Sequence, residues 1–269
     1  MREIIKFLII GIVQGLGEVL PISSSAHLLI FEEILNINNN NLTLEIFLHL
    51  ASLIAILFFL RKRLIKLVLG FFKYLFRKQQ EYYLEFKLGC FLILSTIPIV
   101  LITIIFKDWI VLVSSNLKFI GLFLVINGFL LFTISNNTGN KKIEKMSYFD
   151  ALIIGIFQCI GIFPGISRSG SCLLGASIRK MEKETAAEYA FLMFIPTVLG
   201  ATILEFNNFG NLIVKDNLWM YLVTFFVTCI VTYLAFEVLL NIIKKGKIKY
   251  FGYYCIVIGL ISFWYGFVK

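Results

Sequence analysis

The sequence predicts an all-α integral membrane protein made of two inverted five-helix repeats, and three observations predict it. Of the 269 residues, 59% are hydrophobic and 15% charged, with a mean hydropathy of +0.90. Soluble domains are about half apolar and about a quarter charged, and a water-soluble fold of this size has too little interior to hide the excess. Six apolar runs are long enough, or nearly so, for the ~20 residues that a spanning helix needs. Two further apolar segments are broken in the middle, and they match each other.

In chain order, segment 4–20 stops at Pro21, and a serine-rich break leads into 26–35. Each half is too short to cross a bilayer, so the pair is read as a re-entrant hairpin. Spans follow at about 44–60, 87–106 and 118–135. Segment 150–162 then stops at Pro164, a second serine-rich break leads into 171–178, and spans follow at about 186–206, 218–240 and 250–268. Gly11, Gln14, Gly17, Ser23 and Ser25 match Gly155, Gln158, Gly161, Ser167 and Ser169 at one constant offset of 144 residues, the distance from Gly11 to Gly155. The chain therefore reads as a single membrane domain, with repeat 1 over about 1–135 and repeat 2 over about 148–269. Three crossings per repeat invert the second relative to the first, a plan found where a site lies near the midplane.

The net charge of +9 does not indicate nucleic-acid binding. Most lysines and arginines fall in connectors at 61–86, 136–149, 179–185 and 241–249. The positive-inside rule puts such connectors in the cytoplasm, with both termini outside. The base-reading motifs of nucleic-acid binders are missing as well. Cys90, Cys159, Cys172, Cys229 and Cys255 lie in apolar stretches with no C-x-x-C pair and no zinc spacing. The N-terminus begins like a signal peptide, but Glu18 and Pro21 interrupt its apolar run. It is expected to belong to the mature fold.

The two hairpin tips hold the polar residues that carry chemistry. The first runs from Gln14 through Glu18 and Pro21 to Ser23, Ser24, Ser25 and His27; the second reads Pro164-Gly165-Ile166-Ser167-Arg168-Ser169-Gly170-Ser171. An ionisable side chain inside a membrane is expensive and marks function by default. Gln14 and Glu18 share a helical face at i, i+4, and Arg168 is the expected counter-charge for Glu18 or for an anionic ligand. Glycine, serine hydroxyls and a helix N-terminus around Arg168 suit a phosphate cradle, and the guanidinium forks onto phosphate oxygens. Nucleophile, proton carrier and charge stabilisation together are what phosphoryl transfer requires. Structural alternatives weigh against single residues: a serine in a membrane helix usually bonds its own backbone, and a Glu18–Arg168 pair would also serve packing. His49, four residues after Glu45, is read as structural. An alternative function is a transporter or flippase for a prenyl phosphate lipid, because inverted repeats with broken helices belong to that class.

At these tips the sequence resembles the undecaprenyl-diphosphate phosphatases associated with bacitracin resistance. That family carries Glu/Gln-x-x-x-Glu, then Pro-x-Ser-Ser and a nearby His, here Gln14 to Glu18, Pro21 to Ser24, and His27; its Pro-Gly-x-Ser-Arg-Ser motif stands complete from Pro164 to Ser169. The resemblance covers essentially the whole chain. It implies removal of the terminal phosphate of undecaprenyl diphosphate in the bacterial inner membrane, at a site facing outside. It implies Glu18 as essential carboxylate and tentative metal ligand, Ser24 as favoured nucleophile with His27 beside it, and Arg168 as phosphate-binding cation; direct attack by water with Glu18 as base stays open as the alternative to Ser24. Gln14, Ser23, Ser25, Gly165, Ser167 and Ser169 would line the substrate, with Mg²⁺ or Ca²⁺ as cofactor. The expected partners are the polyprenyl diphosphate and membrane lipids, with a homodimer left open. Two departures stand out. Gln14 cannot ionise, and Cys172 replaces a threonine, for which Ser171 is the candidate substitute.

Overall fold

The computed structural model describes residues 2–37, 42–114, 116–136, 138–205 and 218–268. Among these it contains eleven α-helices: α1 (Arg2–Val19), α2 (Ser24–Ile34), α3 (Leu42–Phe59), α4 (Arg61–Arg77), α5 (Tyr83–Ser114), α6 (Leu117–Ser135), α7 (Tyr148–Gln158), α8 (Arg168–Ile178), α9 (Lys183–Glu205), α10 (Leu218–Lys244) and α11 (Lys249–Val268). A 3₁₀ turn, Cys159–Ile162, extends α7. Residue 206, the last of the run expected at 186–206, lies outside the described residues.

Among the described residues, five helices are long and apolar enough to cross a membrane by themselves: the Gln80–Phe106 stretch that includes most of α5, then α6, α9, α10 and α11. The protein is a multi-pass membrane protein. The stretch Leu44–Phe59 of α3 reaches that standard only together with α4, from which it bends by 81°. Here the structure corrects the sequence reading, because the connector expected at 61–86 is largely helical. In α4, Arg61, Lys62, Lys66, Lys73 and Arg77 alternate with the exposed Ile65, Val68, Leu69, Phe72 and Phe76, while Leu67 and Gly70 are buried. Charge marked this segment as extramembrane and masked its helical period. It packs on α5, where Lys66 reaches the buried Glu85 at 3.2 Å.

Both broken segments begin their second helix earlier than expected. α2 starts at Ser24 because Ser23, at φ 71°, turns the chain out of helical geometry just before it. α8 starts at Arg168, and the Ser167 side chain caps it by accepting a hydrogen bond from the Gly170 amide. Ser24 and Arg168 thus open two helices, and each is met by a glycine. A Cβ on Gly17 would lie 2.9 Å from Ser24 Cα, and one on Gly161 would lie 2.6 Å from Arg168 Cα. Only glycine lets the backbones of each pair approach so closely.

The helices of the two halves pack across one another. α1 lies on α10, where Thr224 and Thr228 donate to the carbonyls of Phe7 and Gly11 at 3.3 and 3.2 Å. α7 lies on α5, with Gly155 against the Ser95 backbone. α6 and α11 meet through Gly121 and Gly128 on one helix and Gly252 and Gly259 on the other. Small residues and interhelical hydrogen bonds are what hold helices together where lipid removes the hydrophobic drive. The outward faces, such as Ile104, Ile203, Phe226 and Trp264, stay apolar and exposed.

The basic connectors converge. Arg63 on α4 pairs with Glu188 on α9, Lys244 approaches Glu184 at 3.9 Å, and Lys141 and Arg179 both bind Asp150. An isolated parallel bridge, Lys141 to Met181, ties two connectors directly. Asp150 is fully buried in the first turn of α7 and completes a capping box with Ser147. Burial pushes its carboxyl up. The Ser147 amide, the Arg179 guanidinium, the Lys141 ammonium and the Ser147 hydroxyl more than reverse that and bring it to about 2.

Candidate active site

The first half of the site is one carboxylate oxygen with three polar neighbours. Glu18, one residue before the end of α1, is buried. Its Oε2 accepts hydrogen bonds from Ser24 Oγ at 2.7 Å and from Gln14 Nε2 at 2.9 Å, and His49 Nε2 stands 3.2 Å away. The i, i+4 spacing of Gln14 and Glu18 produces the first contact within a helix, as the sequence indicated. The tight turn at residues 20–23 folds Ser24 back onto Glu18. A serine hydroxyl at 2.7 Å from a buried carboxylate has a base in place for its proton.

The second half is the start of α8. Arg168 and Ser169 face a small pocket lined also by Glu18, Cys172, Ala190, Phe191 and Phe194. The Arg168 guanidinium lies over the Phe194 ring, 5.6 Å from its centroid. Among the described residues it makes no ion pair, so the Glu18–Arg168 pairing expected from the sequence is not formed. The carboxylate takes His49 instead, and the cation keeps its fork for an anion. The α8 N-terminus adds the positive end of a helix dipole at the same place.

Other candidate residues join the two turns. Ser23 Oγ accepts from the Gly165 amide at 3.1 Å and lies 3.4 Å from Ser25 Oγ. Gly165 has φ +114°, a conformation that L side chains rarely adopt. Ser167 Oγ accepts from the Gly170 amide and lies 3.0 Å from Ser169 Oγ. Asn127 on α6, absent from the sequence reading, clamps both turns: its Nδ2 donates to the Pro21 carbonyl and its Oδ1 accepts from the Ser167 amide, each at 3.0 Å. Its signal was a buried amide in the middle of an otherwise apolar span.

The two histidines take different partners. Among the described residues His27 makes no hydrogen bond to the Glu18 carboxylate: its Nδ1 donates to the Ser23 carbonyl at 2.8 Å, and its Nε2 accepts from the Tyr254 hydroxyl at 2.9 Å on a stacked ring. His49, read as structural, does bond its own helix through Nδ1 to the Glu45 carbonyl at 2.8 Å, yet its other nitrogen faces Glu18. The rule that flags ionisable groups in spans applied to it; the sequence separation of 31 from Glu18 hid the partner. Ser171 does not replace the missing threonine, because its hydroxyl donates to the Ser167 carbonyl and is buried. Cys172 does line the pocket, with its thiol on Gln158 Oε1 at 3.4 Å.

A model of the family described as "Bacitracin resistance protein BacA" matches residues 7–261. The chain belongs to the BacA family. BacA-family relatives include an undecaprenyl-diphosphatase of Thermosipho africanus, 41% identical with 96% of this chain and 99% of the relative covered. Another, of Methanococcus vannielii, is 39% identical over 96% and 98% of the two chains. A third, of Oceanobacillus iheyensis, is 36% identical over 96% and 95%. The BacA match spans both broken segments, so the Glu18–Ser24 contact and the Arg168 pocket fall within it. Beside Glu18, Gln14 Oε1 is buried with no hydrogen-bond partner among the described residues.

Proposed function

We propose that the protein hydrolyses undecaprenyl diphosphate to undecaprenyl phosphate and inorganic phosphate, recycling a lipid carrier for cell-wall glycan synthesis. The observation that carries this reading is the 2.7 Å hydrogen bond from Ser24 to Glu18 beside a pocket lined by Arg168, which makes no ion pair among the described residues. Full-length similarity to undecaprenyl-diphosphatases supports the substrate. In the proposed step Ser24 Oγ attacks the terminal phosphorus while its proton passes to Glu18. The bond to the bridging oxygen breaks, and undecaprenyl phosphate leaves. Water then cleaves the phosphoserine and returns the hydroxyl. Arg168 binds the terminal phosphoryl oxygens and stabilises charge that grows on them.

A divalent cation, Mg²⁺ or Ca²⁺, belongs to the same proposal. Hard cations take oxygen ligands, and the Glu18 carboxylate with the partnerless Gln14 Oε1 offers two. No three His, Cys, Asp or Glu side chains group as a metal site among the described residues, so substrate phosphates and water would complete the shell. Bound there, the cation would neutralise charge on the phosphate oxygens.

The reading of the chain as a single membrane domain of two inverted repeats, each a re-entrant hairpin and three spans, is supported by the paired contacts Gly17–Ser24 and Gly161–Arg168. The reciprocal packing of α1 on α10 and α7 on α5 supports it too. The ion pairs that gather the basic connectors support one cytoplasmic face in the inner membrane, with the termini and the site toward the outside. Homodimer formation is a further part of the proposal, tested by mass in detergent.

The test is phosphate release from undecaprenyl diphosphate by detergent-purified protein with Mg²⁺, beside EDTA and Arg168→Ala controls. Release abolished by both controls supports the hydrolase; no release by folded protein across several prenyl diphosphates and cations overturns it.

A further inference from the structure

The carboxylate of Glu18 is held from a helix that the hairpin motifs do not include. His49 is buried on α3, and its Nδ1 lies 2.8 Å from the Glu45 carbonyl oxygen. A carbonyl oxygen and a carboxylate oxygen both only accept, so each ring nitrogen carries a hydrogen and the ring facing Glu18 is the imidazolium, with Nε2–H as donor. The ring is thereby fixed in plane and direction, with Nε2 aimed at Glu18 Oε2 from 3.2 Å. Gln14 Nε2 comes within 3.4 Å of His49 Nδ1, but its nearer partner is Glu18 at 2.9 Å. Glu18 Oε2 therefore meets a fixed imidazole from α3, an amide from α1 and the Ser24 hydroxyl from α2. A glutamate side chain has three rotatable bonds, and a carboxylate that turns away leaves Ser24 without a base. Of the protein's two histidines, His27 is committed to Ser23 and Tyr254, which leaves His49 as the imidazole at the reacting groups.

We propose that His49 is a positioning residue for phosphoryl transfer: its Nε2 holds Glu18 Oε2 in the orientation from which that oxygen accepts the Ser24 hydroxyl proton. The proposal rests on the roles given above to Ser24 and Glu18. It assigns to α3 a part in the chemistry beyond packing. Its two ring nitrogens have separable duties, Nδ1 toward the helix backbone and Nε2 toward the carboxylate.

Substitutions can divide those duties. Glutamine places an amide nitrogen near the position of Nε2, whereas asparagine places one near Nδ1 and reaches no further. His49→Gln, His49→Asn and His49→Ala are compared with wild type and Glu18→Gln by steady-state phosphate release, with thermal unfolding in detergent measured alongside. The expected result is a kcat reduced by about 10- to 100-fold in the Asn and Ala variants, the range for losing one hydrogen bond to a charged group. KM stays within about threefold and the Gln variant recovers most of kcat, because the lost contact touches the base rather than the substrate. Should the Ala variant not fold, the Gln and Asn pair decides. An Asn variant as active as wild type, beside a Gln variant that is not, would make His49 a fold element only and overturn the proposal. Activity unchanged in all three overturns it as well. A folded wild type that releases no phosphate overturns this proposal together with the hydrolase reading, whereas an active wild type that loses turnover in Glu18→Gln leaves that reading standing.

Discussion

Ser24 donates a 2.7 Å hydrogen bond to Glu18 across a turn of only four residues, Leu20 to Ser23. The contact exists because Gly17 has no Cβ. With one, α1 would meet the Ser24 backbone at 2.9 Å and push the start of α2 away. A hydroxyl and a carboxylate at this distance form a nucleophile with its base.

Removing either member is expected to remove turnover. Glu18→Gln keeps the shape and loses the base, at a cost of about 10²- to 10⁴-fold in kcat. Ser24→Ala is expected to lose at least as much and to abolish any phosphate trapped on the protein. Phosphate release in detergent, with acid-quench detection of phosphoserine, measures both. Full activity in Ser24→Ala would transfer the attack to water.

Arg168 makes no ion pair among the described residues and rests over Phe194, so its removal breaks no salt bridge there. Arg168→Ala is therefore expected to fold with nearly unchanged stability while losing about 10²- to 10³-fold in kcat, the range for one donor to a developing oxyanion. Arg168→Lys should recover only part, because an ammonium cannot form the two-pronged contact. A large drop in melting temperature for Arg168→Ala would instead mark a structural charge.

Asn127 satisfies the Pro21 carbonyl and the Ser167 amide at once. Asn127→Leu leaves both buried groups without a partner, at about 1–3 kcal/mol each. The expected outcome is a lower melting temperature together with lower kcat, since the two turns lose their common clamp. Unchanged stability in thermal unfolding would show that water replaces the amide.

Asp150 supplies a pH dependence away from the site. Its carboxyl stands at about 2 in the folded protein, against an ordinary value of 3.8. A group depressed on folding stabilises the fold above its unfolded value, and that contribution is lost as pH falls through the folded one. Wild-type melting temperature should therefore fall between about pH 4 and pH 2 more steeply than that of Asp150→Asn. The variant is expected to be less stable at neutral pH, because Lys141 and Arg179 lose their shared partner. Parallel curves for the two proteins would remove Asp150 from the acid transition.

Much of this molecule is local in origin. Apolar runs of about 20 residues, Pro21 and Pro164 as breaks, and the matched Gly, Gln and Ser positions at an offset of 144 are properties of neighbouring residues, and the sequence alone determined the membrane class, the places of five of the six expected spans and the two turns. The contact of Gln14 with Glu18 is equally local, a consequence of helical spacing. What the tertiary structure decided depends on residues far apart in the chain. It selected His49 as the neighbour of Glu18, left Arg168 without an ion pair among the described residues, and brought Asn127 to both turns. It also made a helix of the basic connector at 61–77. Helical periodicity fixes which side chains share a face, but the partner of a face is chosen by packing among many helices, where a buried polar group takes whichever donor or acceptor the assembled bundle brings within hydrogen-bond reach.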